Sequence, residues 1–247
     1  MNDDFTEDDI DEDFQALEST RYAAVGTLIG MGAILSMIII GLFYPPEISA
    51  MSDPRTIAAF TTLARQYTTP ITILLLLDTI FIMGYTSLFA GIWLIIRDFS
   101  EIMAKVGLGL GLLTALADIV ENSLLLILVK GLQTGWTPHP LLFGLVYVIN
   151  TMIDLLSYLG ILVYAIILLL IFRPWNSKFI MACLFVLYLL VGLLSILLPA
   201  LVIVRSFMFV IGLAVGGTIL WREEDIPRDI LEKLAQQQKG SKNDFIR

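Results

Sequence analysis

Five ionisable residues stand inside long apolar runs of this chain: Asp78, Asp118, Glu121, Asp154 and Arg205. Placing an Asp or Arg at the centre of a membrane helix costs roughly 2.5–3.5 kcal/mol each, so together they represent on the order of 10 kcal/mol of unfavourable transfer. Contact with lipid is therefore excluded in practice, and the groups must face one another or a wet cavity. Four acids and one guanidinium do not neutralise themselves by pairing. If Arg205 takes one carboxylate, the other three are protonated, hydrogen-bonded or balanced by a bound cation. A protonatable cluster suits proton coupling. With oxygens added from Asn122, Asn150 and Ser157, the same residues suit a hard cation such as Na⁺, Mg²⁺ or Ca²⁺.

Spacing places the groups together. Thr114, Asp118, Glu121 and Asn122 lie on one helix face by their three- and four-residue intervals, and Tyr147, Asn150, Asp154, Ser157, Tyr158 and Tyr164 lie near another. Asp78 and Tyr85 are seven apart and nearly aligned. At the helical rise per residue, the depths from the predicted outer ends are roughly 8 Å for Arg205, 10 Å for Asp78, 12 Å for Glu121, 17 Å for Asp118 and 20 Å for Asp154. These depths form one band from the outer leaflet to the midplane. The expected ion- or substrate-binding set is Asp78, Asp118, Glu121, Asn122, Asn150, Asp154, Tyr158 and Arg205.

The elements that must hold this set are transmembrane helices. The 247 residues are 57% hydrophobic and only 15% charged, and mean hydropathy is +0.86, far from the balance of a water-soluble domain. Six stretches reach the roughly 20 apolar residues needed to span a bilayer. They run from about Tyr22 to Phe43, Thr72 to Ile96, Val106 to Val129, Leu141 to Phe172, Phe179 to Leu198 and Ala200 to Trp221. The last two divide at Pro199, which lacks a helix donor. The fold expected is all-α, a polytopic six-helix transmembrane bundle. Short loops make the second, third and fourth spans antiparallel neighbours.

Outside the bilayer the sequence predicts three further features. Ser52-Asp53-Pro54 reads as a helix start, and Ile57, Phe60, Leu63, Ala64 and Tyr67 then recur at helical spacing, which predicts a short amphipathic helix in the first outer loop. It is either a lid over an outward-facing cavity or simple packing at the headgroups. Residues 1–20 hold nine acids and no Lys or Arg, a composition expected to leave an acidic tail disordered and free to solvate or to meet a basic partner. Residues 222–247 form a C-terminal tail in which Ile226, Ile230, Leu231 and Leu234 predict a brief amphipathic helix that fades after Gln236.

Basic residues near the span ends number eleven on the side of the termini and three on the other, which predicts both termini in the cytoplasm. Trp93, Trp136, Trp175 and Trp221 fall at span ends, as interfacial anchors do. Residues 1–20 carry no positive n-region and no small-residue cleavage site follows, so a secretory signal is not expected in them. Cys183 stands alone in an apolar run and reads as an inert buried thiol. His139, the one histidine, removes multi-histidine zinc sites and Ser-His catalysis within the membrane. Nucleic acid is disfavoured as a partner because basic patches are lacking. Gly26 and Gly30, Gly107 and Gly111, and Gly212 and Gly216 stand four apart, where helices approach closely, within the bundle first and between copies of the chain second.

Three functions fit these residues. The first is proton- or cation-linked transport or permeation of a small solute through the carboxylate cluster, with Arg205 as counter-charge or anion contact. The second is an intramembrane enzyme acting on a lipid, with carboxylates as acid and base or as ligands of a divalent metal. The third is a non-catalytic assembly or scaffold protein whose polar core fixes packing.

Overall fold

A computed structural model shows how the apolar stretches assemble. It describes residues 7–44, 57–137, 139–174, 176–198 and 201–244, all of them in or between helices. The elements are α1 (Glu7–Leu42), α2 (Ile57–Gln66), α3 (Thr68–Ile96), α4 (Glu101–Gln133), α5 (Pro140–Ile171), α6 (Ser177–Leu197) and α7 (Leu201–Asp244). Every one except α2 contains a segment long and apolar enough to cross a membrane. The chain is a multi-pass integral membrane protein.

Helix ends follow local chemistry. Asn176 caps α6 with its side-chain oxygen accepting from Lys178 N at 2.9 Å, and His139 caps α5 through Nδ1, with Pro140 at the first helical position, where a missing N–H costs nothing. Gly135 ends the α4 turn with φ at 81°, a left-handed conformation that favours glycine. Pro70 stands in the opening turn of α3, so that helix begins at Thr68, four residues earlier than the hydropathy boundary. Only Tyr67 separates α2 from α3, its ψ of 36° breaking the helical run.

The tails differ from the sequence expectation. α1 is helical from Glu7, within the stretch expected to lack structure. Its first turn is acidic, which suits the positive end of the helix dipole, and the nucleation cost is already met by the membrane span that follows. Likewise α7 runs unbroken to Asp244 instead of fading after Gln236. Ser52-Asp53-Pro54, Trp175 and Pro199 lie outside the described residues, as do residues 1–6.

The spans close into a ring in the order α1, α3, α4, α5, α6, α7, with α7 returning to α1 and each pair of neighbours in contact. Successive contacts pair low with high residue numbers, as in Gly26 with Ser87 and Gly30 with Gly84, so these neighbours are antiparallel. The predicted neighbourhood of the second, third and fourth spans is borne out. Both tails leave from one end of the bundle, where the Arg21 guanidinium lies over the Trp221 ring at 5.5 Å. The opposite end carries α2.

Two apolar cores fill the ring. The larger occupies the centre and the tail half, with Leu88, Phe89, Ile92, Tyr164, Met181 and Leu213 among its buried members. The smaller lies beneath α2 and joins Phe60, Ala64, Leu125, Leu128, Phe143 and Val146. In the larger core the Tyr164 hydroxyl donates to the Phe89 carbonyl at 3.0 Å and reaches the Ala104 carbonyl at 3.4 Å, while Gly107 makes room for its ring. Tyr164→Phe is expected to lower stability by about 1 kcal/mol, the net worth of a neutral hydrogen bond, read as a fall in the thermal midpoint in detergent micelles.

Packing settles the glycine pairs. Gly26 and Gly30 face Ser87 and Gly84 of α3, and Gly107 and Gly111 face Tyr164 and Phe89. Gly216 meets Leu88, whereas Gly212 opens on empty space. Cys183 corrects the expectation of burial: it is exposed on α6, on the outward side of a helix whose inward residues include Met181, Ala182 and Phe185.

α2 packs and does not float. Phe60 is 3% exposed and Ala64 is fully enclosed, and the Phe60 ring meets Phe143 edge-on at 5.1 Å. Phe60→Ala is expected to cost about 3 kcal/mol and to release α2, measured as faster hydrogen exchange over residues 57–66 with little change in α7.

Candidate functional site

Between the two apolar cores lies a polar band built from α3, α4, α5 and α7. Each acid has one specific partner. Asn122 Nδ2 donates to Asp78 Oδ2 at 2.8 Å. The Tyr85 hydroxyl donates to Asp118 Oδ2 at 2.8 Å. Asn150 Nδ2 donates to Glu121 Oε1 at 3.2 Å and Oε2 at 3.5 Å. Arg205 Nη1 lies 3.2 Å from Asp154 Oδ1 and 3.4 Å from Oδ2, and donates to the Tyr158 hydroxyl at 3.0 Å. These pairs cross between helices, so they also fix the rotation of α3, α4, α5 and α7 relative to one another.

The pairs form one electrostatic unit. Asp118 lies within charge–charge range of Asp78 and of Asp154, and Glu121 within range of all three other acids. All eight residues of the expected set therefore belong to the band. Thr114 and Ser157, on the same predicted faces, instead donate to carbonyls of their own helices, those of Leu110 and Asp154. Two residues placed on these faces by spacing fall elsewhere. Tyr147 is exposed, and Tyr164 lies in the larger core. A helix of 3.6 residues per turn drifts across a face over such intervals.

The band is asymmetric. Glu121 is 5% exposed, under the apolar plug of Leu125, Phe143 and Phe60. At the other edge the Asp154 side chain is 43% exposed and that of Arg205 26%. Arg205 pairs with Asp154 while part of its side chain stays exposed.

Below the band runs a chain of aromatic rings. Tyr85 meets Phe81 at 5.3 Å, Phe81 meets Phe209 at 5.3 Å, Phe209 meets Tyr188 at 4.8 Å and Tyr188 meets Tyr158 at 6.0 Å. It links the phenol bound to Asp118 with the phenol bound to Arg205. Tyr85 and Tyr188 also line a central cavity of about 30 Å³, space for little more than a water or two. Tyr85 is within reach of sequence reasoning through its seven-residue offset from Asp78. Tyr188 is not, because it is a lone tyrosine within an apolar run that holds no other polar side chain nearby.

Hard-cation coordination is not what this arrangement offers. Among the described residues no three His, Cys, Asp or Glu side chains converge as metal ligands. Each of Asp78, Asp118 and Glu121 instead meets its own amide or phenol donor, whereas Na⁺, Mg²⁺ or Ca²⁺ needs several oxygens in one shared shell.

No family model, curated protein or solved structure matches the chain. The band's own chemistry is what bears on function.

Proposed function

We propose that the chain is a proton-linked transporter or permeation protein for a small solute, with Asp78, Asp118, Glu121 and Asp154 carrying the proton and Arg205 acting as counter-charge. One observation carries this reading. Four interacting carboxyl groups share a layer between two apolar cores with a single guanidinium, and three of them are held by neutral donors. Protons are the counter-ions that fit, because a carboxyl keeps its amide or phenol partner in either protonation state. The open Asp154–Arg205 edge supplies access, and the plug beneath α2 keeps the band from becoming a continuous pore. The excess of basic residues at the tail end supports an orientation with α2 outward.

Proteoliposomes holding the full chain and a pH-sensitive dye test this. Under an imposed proton gradient, with and without a pool of small metabolites, wild-type protein is expected to move protons. Asp118→Asn and Glu121→Gln are expected to lower that flux at least about tenfold, in keeping with intramembrane acids that relay protons. Unchanged flux in both variants, with both folded, leaves the band as a packing device and favours the scaffold reading.

A further inference from the structure

Arg205 has more donors than the protein uses. All three of its hydrogen bonds leave from Nη1, two to Asp154 and one to Tyr158. Among the described residues Nε and Nη2 have no protein acceptor, and the side chain keeps about a quarter of its surface open (26%). A guanidinium is a rigid planar fork of five N–H donors that cannot give up its proton. Its Nε–Nη2 edge matches two oxygens of a carboxylate or phosphate.

We infer that this edge of Arg205 binds an oxyanion, and that the anion enters together with a proton on Asp154. This rests on the reading of Asp154 as a proton carrier given above. The Arg205–Asp154 pair is neutral. Adding a monoanion leaves one net negative charge within the membrane, and a proton on Asp154 removes it. Of the groups facing Asp154, the other acids act in the same sense, the phenols are neutral and one guanidinium opposes. Asp118 and Glu121 from α4 add like charge, with Asp78 of α3 acting on both. Arg205 from α7 supplies the one opposing charge, while Tyr158 and, from α6, Tyr188 complete the surroundings. Losing the Asp154 carboxylate as a competitor also frees Arg205 for the incoming group. The ligand class is a singly charged carboxylate or phosphate, either a small soluble acid or the headgroup of an anionic lipid.

The test uses the full chain in phosphatidylcholine nanodiscs with radiolabelled acetate as the probe. Acetate binding is expected to strengthen as pH falls, by up to about tenfold per pH unit for one linked proton. Arg205→Lys is expected to weaken it about tenfold through loss of the planar fork, and Arg205→Gln to abolish it. Asp154→Asn, which mimics the protonated acid, is expected to bind at the acidic-pH level with no pH dependence. Phosphatidylglycerol added to the discs identifies the source. Displacement of acetate, with Arg205-dependent retention of the lipid in native mass spectra, assigns the edge to a headgroup; undisturbed acetate binding assigns it to a soluble acid. The inference is overturned if neither acetate nor phosphatidylglycerol associates with wild-type protein more than with folded Arg205→Gln, or if acetate binding is independent of pH. Proton flux that persists while acetate binding fails removes this site alone. Loss of the flux prediction with intact acetate binding removes the transport reading and leaves the site.

Discussion

Gly84→Leu is expected to prevent assembly of the bundle, with most of the protein lost to aggregates on extraction into mild detergent. At this crossing α1 and α3 touch backbone to backbone: a Cβ on Gly84 would overlap the Cα of Gly30, and a Cβ on Gly30 would overlap the Cα of Gly84. Neither obstacle is a side chain that turns aside. The helices must separate, which loosens the close packing around Ala23, Leu88 and Ile92 on the tail side of the crossing and costs at least about 3 kcal/mol. The effect extends beyond stability, because α3 carries Asp78 and Tyr85 into the polar band. Gly32→Leu provides the control. It lies on the same helix as Gly30, and nothing stands within 4 Å of the point where its Cβ would lie, so its elution profile and thermal midpoint are expected to match the wild type.

The second large effect concerns the ion pair. Asp154→Leu strands Arg205, and because a guanidinium stays charged at any accessible pH, the loss is expected to reach about 3 kcal/mol, the low end for a broken buried pair given the partial exposure of both groups. Arg205→Leu strands a carboxyl that has another way out: it takes a proton and keeps its place beside Tyr158. That single change is expected to cost about 1 kcal/mol. In the Asp154→Leu/Arg205→Leu double variant both charges are gone, and stability is expected to return close to wild type while function is lost. Chemical unfolding in mixed micelles measures all three. Equal costs for the two single variants contradict the asymmetry between a group that can discard its charge and one that cannot.

Much of the architecture is legible in the sequence because bilayer thickness converts apolar length directly into helices. The spans beginning near Tyr22 and ending near Trp221 need only that arithmetic, and the acids fall on shared faces because residues three and four apart stack on a helix. What spacing does not encode is helix rotation against a neighbour. For that reason the partners of each acid, Asn122 with Asp78 and Asn150 with Glu121, follow only from the assembled ring, as does the displacement of Tyr147 and Tyr164 from the band. Ring closure between α1 and α7 joins segments some 200 residues apart, and no local pattern records it. Gly84 escapes sequence reasoning for a related reason: it has no glycine four residues away, and the small residue that extends its stripe is Ser87, three positions on. The acidic stretch from Glu7 reads as disordered in isolation, yet it continues a helix that the membrane span has already nucleated.

The carboxyls of α3 and α4 are expected to titrate as one connected set. Infrared difference spectra between acidic and alkaline pH, recorded on the full chain in nanodiscs, follow the carbonyl bands of protonated carboxyl groups directly. If they do, Glu121→Gln removes one band and also shifts those of Asp78 and Asp118, because each feels the others' charge. Subtraction of a single band with the rest unmoved, or no pH-sensitive carboxyl band in the wild type, would contradict it.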